Sequence, residues 1–97
     1  MKQVRIKQAA FKSIENITDY IFREIKMPET AVKYTNRLLK FGFDLSNNHI
    51  AYPLCKNKVL SKRNLHCATF DKKWVFTFTI NKHTVVIHQI LWGGSVQ

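Results

Sequence analysis

Residues 74–92 read WVFTFTINKHTVVIHQILW, and the fold is decided there. Trp74, Phe76, Phe78 and Ile80 alternate with Val75, Thr77, Thr79 and Asn81, which is the period of a strand. Val85 to Trp92 are again β-branched and apolar. Lys82-His83 between them predicts a two-residue hairpin turn with Asn81 opposite Thr84. Ile80 then opposes Val85, Phe78 opposes Ile87, Phe76 opposes Gln89 and Trp74 opposes Leu91. This set is almost wholly apolar and is expected to face the core. The other face receives Thr79 opposite Val86, Thr77 opposite His88, Val75 opposite Ile90 and Lys73 opposite Trp92. A slip of one residue would mix the two faces, so their contrast argues for this register.

Upstream of this hairpin, Leu65, Cys67 and Thr69 alternate with His66, Ala68 and Phe70, which adds a third strand. Asp71 lies in the turn that follows. Residues 48–62 contain Pro53 and read as irregular. Before them the period is helical. Ala10, Ile14, Ile17, Ile21 and Ile25 recur every three to four residues, as in an amphipathic helix. It must stop near Lys26, because Met27 precedes Pro28 and is pushed out of the helical region. Pro28 and Glu29 suit the start of a second helix. Ala31, Tyr34, Leu38, Phe41 and Leu45 form its stripe, and Ser46-Asn47-Asn48 ends it. Val4 and Ile6 alternate with Gln3, Arg5 and Lys7 in a short initial strand. The reading is one α+β domain over residues 1–97. It comprises an N-terminal strand, an antiparallel helical hairpin and a three-stranded antiparallel meander, with the helices on one sheet face.

Composition narrows the function. The chain of 97 residues carries 16 Lys and Arg against 6 Asp and Glu, a formal net charge of +10. Residues 51–97 hold 7 basic and 1 acidic side chain, including Lys56, Lys58, Lys62, Arg63, Lys72 and Lys73. Such an excess repels itself in a compact chain and implies a polyanionic partner. No apolar run approaches the roughly 20 residues of a membrane span. Met1-Lys2-Gln3-Val4-Arg5 lacks the apolar core of a signal peptide. Cys55 and Cys67 do not make a disulfide framework, so the expectation is a cytoplasmic chain with reduced thiols, a Cys55–Cys67 bridge being the alternative. Cys55, His66 and Cys67 lack paired ligand spacing, and no phosphate-cradling glycine loop is present. No metal or cofactor is therefore expected.

With only two helices anticipated, nothing is left to cover the second sheet face. His88, Thr77, Thr79, Lys73 and Trp92 would form a platform there, ringed by lysines of the 56–63 segment. His88 titrates near neutrality and suits proton transfer. Arg63, Lys56, Lys58, Lys62 and Lys73 suit charge stabilisation at a phosphate. Trp92 suits base stacking. The plainer alternatives are a sheet histidine bonded beside Thr77, a packing tryptophan and a solvated basic face. His83 and His49 are assigned to a turn and a loop.

The segment Ile14-Glu15-Asn16-Ile17-Thr18-Asp19-Tyr20-Ile21, the strand Trp74 to Ile80, and the ending Val85 to Gly94 together resemble the RelE/ParE superfamily of type II toxin–antitoxin systems. The first is similar to that family's I-x-x-Y-I helix, the second to its Y-R-I-x-Y-x-I strand, and the third to its V-x-I-x-x-I-x-H-G ending. Val75 stands where the family often has arginine, and Trp92 where it has histidine. Only Gly94-Ser95-Val96-Gln97 follows the penultimate glycine, without the Arg, Tyr or His common in RelE-like nucleases. The resemblance implies a toxin neutralised by an acidic cognate antitoxin. It also implies one of two targets. A RelE-like chain cleaves mRNA on the ribosome and inhibits translation, with His88, Arg63, His66 and Lys73 as catalytic candidates and Lys56, Lys58, Lys62, Trp92 and Thr77 as RNA-binding ones. A ParE-like chain poisons DNA gyrase without chemistry. A third reading is an inactive RNA-binding relative.

Overall fold

The computed structural model describes residues 2–95. Strand β1 (Gln3–Ile6) leads into helix α1 (Gln8–Ile25) and helix α2 (Pro28–Asn48). A 3-10 turn (His49–Ala51) and a short helix α3 (Lys58–Lys62) precede strands β2 (His66–Phe70), β3 (Trp74–Ile80) and β4 (Thr84–Trp92). The four strands form one sheet in the order β1-β4-β3-β2. The α+β architecture with a helical hairpin and antiparallel meander is as read from the sequence. The structure adds the place of β1, which runs parallel to β4 along its outer edge.

The helices form where the apolar period demands. Ala10, Ile14, Ile17 and Ile21 are the buried stripe of α1, and Ala31, Leu38, Gly42 and Leu45 that of α2. Lys26 takes the left-handed conformation at φ 60° and its N–H donates to the Phe22 carbonyl, closing α1 just ahead of Pro28. The Thr18 and Thr35 hydroxyls bond one helix to the other. Both helices pack on Phe76, Phe78, Val85, Ile87 and Ile90, with Phe41 at the centre of an aromatic cluster. Gly42 permits this close approach, since a Cβ there would lie 3.1 Å from Ile87 Cδ1.

The hairpin register follows the sequence as far as Phe78 opposite Ile87 and then departs from it. A β-bulge between Thr77 and Phe78 makes His88 the extra residue of β4, so Thr77 pairs with Gln89, Phe76 with Ile90, Val75 with Leu91 and Trp74 with Trp92. One inserted residue reverses every later side chain of the strand. Ile90, expected outside, is therefore in the core, while Gln89 and Leu91 turn to the other face. Core demand explains the bulge: Ile87 and Ile90 are three apart, and strict alternation could bury only one of them. Its disturbed ladder is repaired by side chains. The Thr77 hydroxyl donates to the Gln89 carbonyl at 3.0 Å and accepts from its N–H at 3.2 Å. The Ile90 N–H reaches Ser13 Oγ on α1 at 3.4 Å.

Two further expectations are corrected. Cys55 and Cys67 form a disulfide, with Cα atoms 4.9 Å apart, rather than two thiols. The face away from the helices is also not wholly bare. Thr77 and Val75 point there, yet are only 1% and 5% exposed. Residues 54–65 strap across it. Leu54 bridges to His66, the Cys55 N–H donates to the Leu65 carbonyl, and Leu65 and Cys55 are buried. Helix α3 belongs to this strap. Its start is fixed by Asn57, whose side-chain oxygen accepts from the Val59 and Leu60 N–H groups. At five residues it is too short for periodicity to reveal.

Candidate functional site

The strap leaves two stations open on the reverse face, one toward each end of β3. At the Thr79 end stands His88. Its Nε2 is 3.0 Å from Thr79 Oγ1, a bond that holds the imidazole against the sheet. Partial burial lowers the His88 pKa below its ordinary value, and the positive charges of Lys7 and Arg63 lower it further. The ring is thus neutral at pH 7, with two cations in its surroundings. If Nε2–H donates to Thr79, Nδ1 carries the lone pair and can take a proton. Three elements build this station: the bulge of β4 sets His88, the end of α3 presents Arg63, and the β1–α1 junction presents Lys7. The Lys7 N–H donates to the Ile87 carbonyl at 2.9 Å, which fixes its backbone beside His88.

At the Val75 end lies a groove of about 690 Å³. Cys67, Thr69 and Val75 line it from the sheet, with Pro53 and the strap residues Leu54, Cys55 and Lys56 opposite. Lys72, Lys73 and Trp92–Gly94 complete it. The β2–β3 turn places Lys72 and Lys73. Asp71 and Lys72 have φ of 55° and 57°, left-handed positions in the three-residue turn between Phe70 and Trp74, which the Lys73 N–H closes on the Phe70 carbonyl at 3.1 Å. The Gly93 N–H donates to the Lys73 carbonyl at 2.6 Å, drawing the end of β4 against that turn. Asp71, the acidic residue nearest in sequence, has its carboxylate on the far side. It accepts from the Tyr34 hydroxyl at 2.9 Å, and Tyr34 accepts in turn from Trp74 Nε1. Burial, and then the bond to Asp71, raise the Tyr34 pKa.

The residues predicted for one platform are thus divided. His88, Thr79 and Arg63 share one station, and Lys73 and Lys56 the other; Trp92 borders that groove, but the bulge pairs it with Trp74, so its side chain leaves the strand on the helix face rather than on the expected platform. Thr77 lies on this face but is buried under the strap, bonded to the bulge rather than presented to solvent. His66 is on the opposite side. It pairs with Phe78, stacks on that ring at 5.4 Å, and its Nδ1 bonds the Tyr52 carbonyl at 2.9 Å. Lys58 and Lys62 are exposed on α3. Sequence reasoning missed Lys7, because nothing local shows that β1 lies beside β4. It named Lys72 in the basic cluster without a role. Among the described residues no group of His, Cys, Asp and Glu could hold a metal ion. No helix among them is long and apolar enough to cross a membrane. Val96 and Gln97, part of the tail read as lacking a terminal acid, lie outside the described residues.

No family model matches the chain, and no curated protein does. Among solved structures it is similar to a chain of the chromosomal ParDE TA system from P. aeruginosa. The TM-score is 0.77 at 16% sequence identity, covering 93% of this chain and 94% of that one. At this identity the likeness shows the fold: α+β, of the RelE/ParE-like arrangement.

Proposed function

We propose that the chain is the toxin of a type II toxin–antitoxin system, acting as a RelE-like, ribosome-dependent mRNA endoribonuclease in the cytoplasm and neutralised by an acidic antitoxin. The observation that carries the nuclease reading is the His88 station, a neutral imidazole oriented by Thr79 with Arg63 and Lys7 around it. RNA cleavage from within needs such a group. His88 Nδ1 takes the proton of a ribose 2′-hydroxyl, the O2′–P bond forms and the P–O5′ bond breaks. The leaving O5′ is protonated from solvent. Arg63 and Lys7 offset the charge that grows on the phosphoryl oxygens. The fold likeness and the +10 charge support the toxin assignment more broadly.

A second reading is favoured by one observation: the structurally similar chain comes from a ParDE system. As a ParE-like toxin the protein would grip DNA gyrase through the same basic face and perform no chemistry. Expression of the chain and of His88→Ala under tight control separates the two. Growth arrest with mRNA cleavage, both lost in the variant, supports the nuclease. Arrest with induced DNA damage and intact mRNA overturns it in favour of gyrase. Absence of arrest with the unaltered chain overturns the toxin reading.

A further inference from the structure

We infer that the groove at the Val75 end is a thiol–disulfide exchange site that selects anionic thiols. A small thiol bearing carboxylates seats these on Lys56, Lys72 and Lys73, and its thiolate attacks Cys67 Sγ. A new S–S bond joins Cys67 to the incoming thiol. The Cys55–Cys67 bond breaks, and Cys55 leaves as a thiolate that takes a proton from solvent. A second equivalent of the same thiol attacks the incoming sulfur of this mixed disulfide and releases Cys67. The thiol is thereby oxidised to its symmetrical disulfide, and the two cysteines are reduced to a dithiol. This activity goes beyond the toxin proposal and uses neither of its targets.

Four observations carry it. First, both bridged cysteines line the groove, so the disulfide belongs to its wall and not to the core between helices and sheet. The volume of about 690 Å³ is within the range of roughly 300–1,000 Å³ typical of small-ligand sites. Second, the two cysteines differ in access. Cys67 is half-buried on β2, the last strand of the sheet, while Cys55 is only 5% exposed. Exchange depends on which sulfur a thiolate can reach, which makes Cys67 the one attacked and Cys55 the leaving group. Third, three lysines line the groove and no carboxylate does. Lys56 follows Cys55 directly, so the departing thiolate forms next to a cationic residue, the setting that favours a thiolate over a thiol. Asp71 is held away by Tyr34, and among the described residues the ion pairs lie on the helices. Fourth, the strap has other attachments. The Cys55 N–H on the Leu65 carbonyl and the Leu54–His66 bridge hold it while the sulfurs exchange, so the reaction does not require unfolding. A bridge closed inside a core would exchange only on unfolding and would not distinguish reagents by charge.

The test is reduction of the purified, oxidised full chain by glutathione as the anionic probe, 2-mercaptoethanol as the neutral one and cysteamine as the cationic one. Protein thiols are counted by rapid alkylation and mass spectrometry. Each rate is divided by the thiolate concentration and by the rate of the same thiol with a neutral small disulfide. At low salt glutathione is expected to open the bridge about tenfold faster than cysteamine, the lower end of what a charged cleft supplies. The gap closes as salt screens it. Changing Lys56, Lys72 and Lys73 together to glutamine brings glutathione within about threefold of 2-mercaptoethanol, whose own rate does not move. Changing Lys12, Lys33 and Lys40 on the helices removes the same amount of charge and leaves the preference intact. Circular dichroism establishes that each variant is folded. Rates that ignore reagent charge overturn the inference, as does an equal loss of preference in both sets of lysine variants. A bridge that opens only in denaturant overturns it in favour of a purely structural disulfide.

Discussion

Breaking the Cys55–Cys67 bridge is expected to lower stability without changing the fold. The two cysteines are 12 residues apart. In the loop-closure description of a cross-link, a loop of that length restricts the unfolded chain by about 3 kcal/mol. For a domain near 100 residues each kcal/mol moves Tm by roughly 4–8 °C, so the melting point should fall by about 15 °C. The folded form survives because other contacts hold the strap: the Cys55 N–H on the Leu65 carbonyl, the Leu54–His66 bridge and the buried Leu65 side chain. The assay is thermal unfolding followed by circular dichroism, on the oxidised chain, on the chain reduced with a dithiol, and on the Cys55→Ser, Cys67→Ser double variant. Reduced and double-variant chains should melt together, well below the oxidised chain, with the same native spectrum. Coincident melting of all three would refute the reasoning. The point bears on function, since disulfides are rare in a reducing cytosol. There the strap would work as a dithiol, and its Lys56 wall would be tied to the sheet by the backbone contacts and the buried Leu65 side chain.

Two further outcomes follow from the bulge. Because the His88 pKa is lowered in the folded chain, protonation favours the unfolded state. Its contribution to stability is complete above about pH 6.5 and is lost as pH falls below that value, toward the depressed folded pKa. Comparing pH-dependent Tm for the chain and His88→Asn between pH 8 and 5 checks this; identical slopes would sink it. Thr77→Val keeps the shape of a buried side chain but removes both hydroxyl bonds to Gln89. It should cost about 1–2 kcal/mol in chemical denaturation, as a buried backbone pair loses its partner, and an unchanged midpoint would show that the bulge is held by packing alone.

Much of the fold was legible because core-facing periodicity is a strong local signal. Ile14, Ile17 and Ile21 mark one helix, Leu38 and Leu45 the next, and Phe76 and Phe78 the central strand. The turn residues Lys26, Asp71 and Lys82-His83 fell where the chain reverses. What failed did so for nameable reasons. Alternation assumes an unbroken ladder, so the register was right from Ile80 to Phe78 and wrong beyond His88. The signal was present in the three-residue step from Ile87 to Ile90 and in polar Gln89 at a position assigned to the core. The disulfide and α3 escaped for a different cause. Two cysteines carry no pattern, and five residues complete barely one helical turn. The candidate site was legible as a set of residue types but not as a geometry. That Lys7 stands near His88, and that Trp92 does not share its station, depends on the β1–β4 pairing and on the strap, both non-local.

The bulge joins the two halves of this account. An unbroken ladder would place His88 opposite Thr77, near the middle of the sheet and under the strap. The extra residue instead leaves His88 bonded to Thr79, toward the open end, while Thr77 turns its hydroxyl to the gap in the ladder. The same insertion sends Ile90 inward and pairs Leu91 with Val75 on the reverse face, so that Trp92 is opposite Trp74 at the far end of the strand. A single irregularity, required by the packing of α1 and α2 on Ile87 and Ile90, therefore sets both stations. It spaces them along β3 and leaves the buried middle of the face to the disulfide and Leu65. The helix side is sealed by apolar contacts and bears the two ion pairs. Among the described residues no ion pair involves the lysines of the reverse face, which is the charge arrangement of a surface built to meet a polyanion.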